Sequence, residues 1–161
     1  MSSHICQIIN TLGAGGAEQY VVQLSNYLAS SGHQVSIIAG EPQVLRYRLA
    51  SGIHVETLQL HPGERRSPIS YLINLWRSCR YLVSYFRKEN VTIIHTHLAA
   101  SALPAWIAAK ICKIPVIHSK MYSGNSGSKF EKTLFSSRIP QLLVARFLAF
   151  TRYSKNEIEQ H

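Results

Sequence analysis

The sequence contains no aspartate, because all eight of its acidic residues are glutamate. This absence excludes a Ser-His-Asp triad, an Asp-x-Asp metal clamp and an EF-hand loop. Cysteine is scarce: Cys6, Cys79 and Cys112 form no Cys-x-x-Cys pair. That spacing disfavours a zinc site or a disulfide framework and is typical of reduced, cytosolic thiols. No apolar run reaches the roughly 18 residues of a transmembrane helix, and the first residues lack the pattern of a signal peptide.

Acidic residues are also few relative to basic ones. Seventeen lysines and arginines against eight glutamates give a net charge of +9. Residues 90–130 contain no acid at all but carry Lys110, Lys113, Lys120 and Lys129. Such a surface favours phosphates, nucleic acid or an anionic membrane, or it serves only solubility. No nucleic-acid-binding motif accompanies the charge, so we expect no nucleic-acid partner.

Short β-branched runs alternate with longer segments of helical period along the chain. The pattern predicts strands over 4–10, 34–39, 54–58, 91–95, 114–118 and 146–151. It predicts helices over 16–30, 42–51, 69–89, 101–112 and 131–145, and another that starts at Ser154. Repeated βα units predict an α/β fold with a doubly wound, mostly parallel, Rossmann-like sheet in one domain over 1–161.

Ligands of such sheets bind beyond the carboxyl ends of the strands. Three stretches are predicted to follow a strand directly, namely 13–18, 95–97 and 118–120. The first stretch, GAGGAE, places glycines where backbone N–H groups at a helix start attract anions. A dinucleotide fingerprint would need glycine where Glu18 stands, and a Walker loop would need Gly-Lys-Ser/Thr. Both nucleotide readings are therefore weak, and a tight turn that needs glycine only for its backbone shape is the alternative.

The stretch from Gly15 to Val35, GGAEQYVVQLSNYLASSGHQV, resembles the start of family 4 glycosyltransferases of the GT-B fold, the glycogen synthase and mannosyltransferase type. VTIIHTHLAAS resembles the His-x-His turn of this family, IPVIHSKM its strand ending in histidine, and FTRYSKNEIEQ the last passage of its N-terminal domain. The resemblance covers nearly the whole chain. It implies an isolated N-terminal, acceptor-side domain, with the donor-binding C-terminal domain absent from this chain and an incomplete final helix.

The resemblance also implies site residues and partners. Gly15 and Gly16 would approach the donor diphosphate or the acceptor through N–H groups, and Glu18 would either cap the helix or contact substrate. His118 is the candidate catalytic residue, near the reacting sugar and phosphate, where it would orient and stabilise rather than act as an obligatory base. The alternative is a structural histidine whose hydrogen bonds are satisfied at the end of a strand. His97 would contact a sugar, with His95 partly structural, and Lys120 would border the cleft. A His95–His97 metal pair is the weak alternative; the expected scheme needs no metal and no cofactor, with a nucleotide-diphosphate sugar as donor substrate.

Residues 65–88 combine basic and aromatic side chains, which is typical of helices that lie on anionic membranes. A lipid-linked acceptor at the inner membrane surface is therefore one expectation, and an ordinary core-facing helix is the other. We predict a cytoplasmic domain, with possible peripheral contact to the membrane. Two functions remain open: half of a retaining glycosyltransferase of cell-surface polysaccharide or lipid-linked glycan synthesis, or a self-sufficient Rossmann-like module that binds a nucleotide or phosphate.

Overall fold

A computed structural model of the protein describes residues 2–60, 67–98, 101–120 and 137–149. The described residues contain six strands: β1 (His4–Thr11), β2 (Gln34–Gly40), β3 (His54–Thr57), β4 (Ile93–His97), β5 (Val116–Lys120) and β6 (Arg146–Ala149). The helices are α1 (Gly16–Ser30), α2 (Pro68–Lys88), α3 (Ala102–Cys112) and α4 (Ile139–Leu143), and Val44–Arg48 forms a 3₁₀ helix.

The six strands form a single sheet in the order β3-β2-β1-β4-β5-β6. Every neighbouring pair is parallel. The first strand in the sequence thus lies at the centre, and the chain winds outward from it in both directions. This confirms the predicted doubly wound, Rossmann-like α/β fold.

Alternation along the strands divides the buried side chains between two layers. On one side of the sheet, residues of β1 and β2 such as Ile9 and Ile37 pack with Val21 and Val22 of α1. On the other side, β1 and β4 pack against α2 and α3, and Trp106 of α3 is fully buried there. The two layers therefore provide different surroundings for polar groups on adjacent strand residues.

The prediction for β4 was wrong in its bounds, because the strand covers Ile93–His97 rather than 91–95. Val91 and Thr92 are β-branched and favour a strand, but they lie just after the turn that ends α2. Asn90 has φ of 52°, and the Val91 amide donates to the Phe86 carbonyl, which closes that helix. His95 and His97 are consequently residues of the strand itself and do not follow it.

The prediction for β5 was wrong in the same way, because this strand covers Val116–Lys120 rather than 114–118. Lys113 has φ of 58°, and the Ile114 amide donates to the Ala109 carbonyl. The turn at the end of α3 thus uses residues for which the sequence pattern predicts a strand. His118 therefore lies in the middle of β5 and Lys120 at its end.

The remaining predicted elements agree with the structure to within a few residues where the structure describes them. Residues 42–51 contain only the 3₁₀ helix, and Gly32 ends α1 with φ of 86°. The described part of the predicted helix 131–145 is α4, which has Pro140 in its first turn. The segment 121–136 and residues 150–161, with the predicted last helix, lie outside the described residues. No helix in the described ranges has the length and apolar character needed to cross a bilayer.

Candidate functional site

The glycine-containing loop lies between β1 and α1, at the carboxyl edge of the sheet. Backbone hydrogen bonds anchor its first residue, because the Leu12 amide donates to the Pro42 carbonyl and the Leu12 carbonyl accepts from the Leu45 amide. Gly15 is the N-terminal cap residue of α1, and both Gly15 and Gly16 are exposed. The first amides of α1 have no carbonyl partner within the helix, so this end of α1 can donate to an anion.

Glu18 lies in the first turn of α1 and folds back over this loop. Its carboxylate accepts a hydrogen bond from the Thr11 hydroxyl at 3.2 Å. A Cβ on Gly15 would collide with the Glu18 carboxylate, whereas a Cβ on Gly16 would meet no atom within 4 Å. A side chain at position 15 would displace only the flexible end of Glu18, and one at position 16 would meet nothing, so local packing requires glycine at neither position.

Four buried polar side chains cross the sheet on the side covered by α1; we call Gln7, His95, His97 and Ser119 the polar unit. They come from the adjacent strands β1, β4 and β5. The unit has two hydrogen bonds, both of 2.7 Å: His97 Nε2 with Gln7 Oε1 and His95 Nε2 with Ser119 Oγ. The two imidazole rings lie face to face at a tilt, with centroids 4.1 Å apart. His95 and His97 are two residues apart in β4 and therefore share a face of the strand.

The polar unit holds its histidines neutral. Burial lowers the pKa of His95 to about 4, and burial together with the nearby His95 and His118 lowers the pKa of His97 well below 6.5. Since Gln7 Oε1 only accepts, His97 Nε2 carries the proton and Nδ1 is left with a lone pair. Among the described residues, neither His97 Nδ1 nor Gln7 Nε2 has a hydrogen-bond partner. Tyr20 of α1 contacts the His97 ring edge-on, with centroids 5.9 Å apart, which places the unit directly beneath α1.

His118 faces the opposite layer. Its Nδ1 is 2.9 Å from the Thr96 hydroxyl, and its ring packs edge-on against Trp106 and Phe147. The Trp106 indole N–H donates to the same Thr96 hydroxyl at 3.0 Å. Burial, with smaller contributions from His95 and Lys120, lowers the pKa of His118 to about 3. The structure therefore places His118 and His97 on opposite faces of the sheet, whereas the resemblance implies that both lie near the substrate.

The remaining predicted site residues lie at the carboxyl edge. Lys120 ends β5 and is partly buried, one residue beyond Ser119 of the polar unit. Within the ranges that the structure describes, no group of three or more His, Cys or Glu side chains is arranged to hold a metal ion. His95 and His97 use their Nε2 atoms for Ser119 and Gln7, so the pair has other partners than a metal.

Gln7 and Ser119 were not predicted from the sequence. Gln7 is a polar residue between apolar neighbours, whereas Ser119 stands between His118 and Lys120; their partners are 90 and 24 residues away in the sequence. The isolated glutamine in HICQIIN was a usable signal, because an amide in a buried strand needs a partner. Without the order of the strands, however, its partner could not be assigned.

Solved structures with the same fold include GT-B glycosyltransferases. The glycosyltransferase of Rickettsia africae ESF-5 has a TM-score of 0.71 at 17% identity and matches 99% of this chain and 40% of its own. Anabaena HepE, solved in complex with UDP and glucose, has a TM-score of 0.69 at 13% identity, over 97% of this chain and 40% of its own. The parallel sheet and its flanking helices thus define a Rossmann-like half of the GT-B fold.

The sequence comparisons identify the family. The profile of Glycosyltransferase Family 4 matches residues 14–161, from the glycine loop onward, and the chain belongs to that family. A curated human relative, one of the subunits of phosphatidylinositol N-acetylglucosaminyltransferase, is 37% identical over 92 residues. That match covers 55% of this chain but only 18% of the human protein. The chain therefore spans well under half the length of the proteins it resembles.

Proposed function

We propose that this chain forms the N-terminal, acceptor-side domain of a retaining, nucleotide-sugar-dependent glycosyltransferase of lipid-linked or cell-surface glycan synthesis. The observation that carries the proposal is the family 4 match, which starts in the glycine loop at the carboxyl edge and runs to residue 161. The human relative's name points to phosphatidylinositol as acceptor, which supports a lipid-linked acceptor here. HepE was solved with UDP and glucose, which supports a nucleotide-sugar donor.

The glycine loop is the proposed contact for the donor diphosphate. The exposed start of α1 offers N–H groups and the positive end of the helix dipole to an anion. Since a side chain at Gly16 would enter open space, the glycine leaves room there for a ligand. Lys120, at the same edge of the sheet, adds positive charge. We therefore propose that the start of α1 and Lys120, without a metal ion, offset the negative charge of the phosphates on this side of the site.

His97 is the proposed contact for a sugar hydroxyl, since its neutral ring keeps an unused lone pair on Nδ1. The ring is fully buried in this structure, as that of His118 is, so this contact requires the side chains above it to move. Glu18 stands beside the loop, where its carboxylate can accept from a hydroxyl as it does from Thr11. The catalytic role that the resemblance implies for His118 remains a prediction. Because its ring is buried against Trp106 and Phe147, His118 would act by positioning the end of β5.

Transfer should be tested with the complete gene product that contains this domain, a series of labelled UDP-sugars and a lipid extract as acceptor. Sugar should appear in the lipid fraction, and NMR of the product should show the anomeric configuration of the donor. Gly16→Ala should raise the KM for the donor about tenfold, roughly 1.4 kcal/mol, without loss of stability. Ser30→Ala, at the other end of α1, is the matched control.

Two outcomes would contradict the proposal. Absence of transfer with every donor, by folded protein, would remove the enzyme assignment. Tight binding of a nucleoside diphosphate by the 161-residue chain alone, measured by calorimetry, would favour the self-sufficient binding module. A product of inverted configuration would retain the transferase but refute the retaining mechanism.

A further inference from the structure

Thr96 lies directly opposite His118 in the parallel register of β4 and β5. Its hydroxyl is 2.9 Å from His118 Nδ1 and 3.0 Å from Trp106 Nε1. All three side chains are buried. We call Thr96, Trp106 and His118 the threonine bridge, because the hydroxyl joins α3 to β5 through β4, near the carboxyl edge of the sheet.

The single proton of the Thr96 hydroxyl can be assigned from its neighbours. An indole N–H only donates, so the Thr96 oxygen accepts from Trp106. Two acceptors are near the Thr96 proton, namely His118 Nδ1 at 2.9 Å and the Ile117 carbonyl at 3.4 Å. The second distance is long, since O–H···O hydrogen bonds usually end at about 3.0 Å. The Thr96 hydroxyl therefore donates to His118 Nδ1.

An accepting Nδ1 determines the tautomer of His118. Burial lowers the pKa of His118 to about 3, so the ring is neutral near physiological pH. A neutral imidazole carries its proton on the nitrogen that does not accept, which here is Nε2. The opposite tautomer, with Nδ1–H donating to Thr96, would leave the Thr96 proton only the long contact to the Ile117 carbonyl.

We propose that Thr96, oriented by the indole of Trp106, is a positioning residue that fixes His118 as the Nε2–H tautomer. Thr96 and Trp106 act through the His118 ring and need no contact with substrate. The tautomer does not depend on the activity of the protein. Its consequence for catalysis rests on the function proposed above: His118 contributes an N–H to the transfer reaction and is not the base that takes the acceptor proton.

Nitrogen chemical shifts of the imidazole rings measure the tautomer directly, because a nitrogen with a proton and one with a lone pair resonate far apart. In the isotope-labelled chain, the His118 signals are assigned by their loss in His118→Gln. They should show a proton on Nε2 and a lone pair on Nδ1. Thr96→Val removes the hydroxyl and should give a mixture of both tautomers, whereas Thr96→Ser should keep the pattern of the parent.

Two further variants test the specificity of the bridge. Trp106→Phe removes the N–H but keeps an aromatic ring, and it should also give a mixture, since the Thr96 hydroxyl is then free to turn. Thr92→Val is the matched control for Thr96→Val. The Thr92 hydroxyl lies just before β4 and bonds the backbone of His4, so its loss should leave His118 unchanged. Circular dichroism verifies the fold of each variant.

Turnover by the complete gene product tests the consequence for catalysis. Thr96→Val should lower kcat about tenfold, because small displacements near a reaction centre reduce turnover by this order or more. The KM for the donor should change much less, since the glycine loop is intact. Thr96→Ser should restore most of the turnover, which a purely steric role of Thr96 does not predict, and Thr92→Val should have the kcat of the parent.

The proposal is overturned if His118 of the parent carries its proton on Nδ1, or if Thr96→Val leaves the tautomer unchanged. An unchanged tautomer in Trp106→Phe would refute the part assigned to Trp106. Equal losses of kcat in Thr96→Val and Thr96→Ser would refute the role of the hydroxyl in transfer. Absence of transfer by the parent would refute the proposed function, while the tautomer and its loss in Thr96→Val would still stand.

Discussion

His97 and His118 occupy neighbouring strands, yet they meet opposite layers of the molecule. On the α1 side, His97 belongs to a polar unit in which one ring nitrogen is unpaired among the described residues. On the other side, His118 is enclosed by Thr96, Trp106 and Phe147. Burial lowers the pKa of both. Burial alone therefore does not distinguish a histidine enclosed by other side chains from one whose ring nitrogen is still available to a ligand.

Removal of Trp106 should have the largest effect, because it takes apart the layer that encloses His118. Trp106→Ala should lower the free energy of unfolding by about 3–5 kcal/mol, the usual cost of deleting a buried aromatic side chain. Urea denaturation near neutral pH measures it. The exposed Tyr27→Ala should change stability by no more than about 0.5 kcal/mol. Equal effects of the two variants would mean that the α3 layer is not a packed core.

Acid should destabilise the domain through the buried histidines. Their folded-state pKa values, about 4 for His95 and about 3 for His118, lie below the ordinary 6.5, so the unfolded chain binds more protons. The contribution of these two histidines to the free energy of unfolding is therefore fully present above pH 6.5, and it is lost as the pH falls toward their folded-state pKa values.

His118→Gln should reduce the slope of unfolding free energy against pH by about 1.4 kcal/mol per pH unit within that window, the contribution of one proton. Denaturation curves at a series of pH values measure the slope. Above pH 6.5 the variant and the parent should run parallel, which serves as the internal control. An unchanged slope in the window would show that His118 titrates normally.

The smallest expected effect comes from Gln7, which contacts His97 in the polar unit but lies on the opposite face of the sheet from His118. Gln7→Leu should cost about 1 kcal/mol, since it leaves the His97 Nε2–H without an acceptor. Nitrogen chemical shifts of the His97 ring should show the Nε2–H tautomer in the parent and a mixture in the variant. Ser119→Ala should disturb only His95, and a His97 ring that ignores Gln7 would refute the assignment.

The order of elements could be predicted from the sequence because hydrophobic period and glycine turns are local signals. The ends of helices could not, because Asn90 and Lys113 adopt positive φ without being glycine. This shifted β4 and β5 by two residues, and with them the positions of His95, His97 and His118 relative to the strand ends. The glycine loop was placed correctly, since β1 and α1 have clear boundaries on either side of it.

The polar unit could not be predicted, because it depends on which strands become neighbours. Gln7 and His97 meet only once β1 and β4 pair side by side. Similarly, which apolar side chains of α2 are exposed to solvent depends on which face of the helix the core covers. The sequence showed a mixed basic and aromatic helix, and only the packed structure separates Leu82 and Phe86 from Ile69 and Trp76.

The central position of β1 also bears on how the protein is made. β1 emerges from the ribosome before the other five strands of the sheet and can pair early with β2, but its other edge waits for β4, almost ninety residues later in the order of synthesis. Until then the backbone groups of Ile5–Ile8 form an open edge beside an apolar surface, which is a hazard for association between nascent chains. The polar unit can form only when β4 and β5 have been added. The nascent chain therefore completes its centre late, and the site with it.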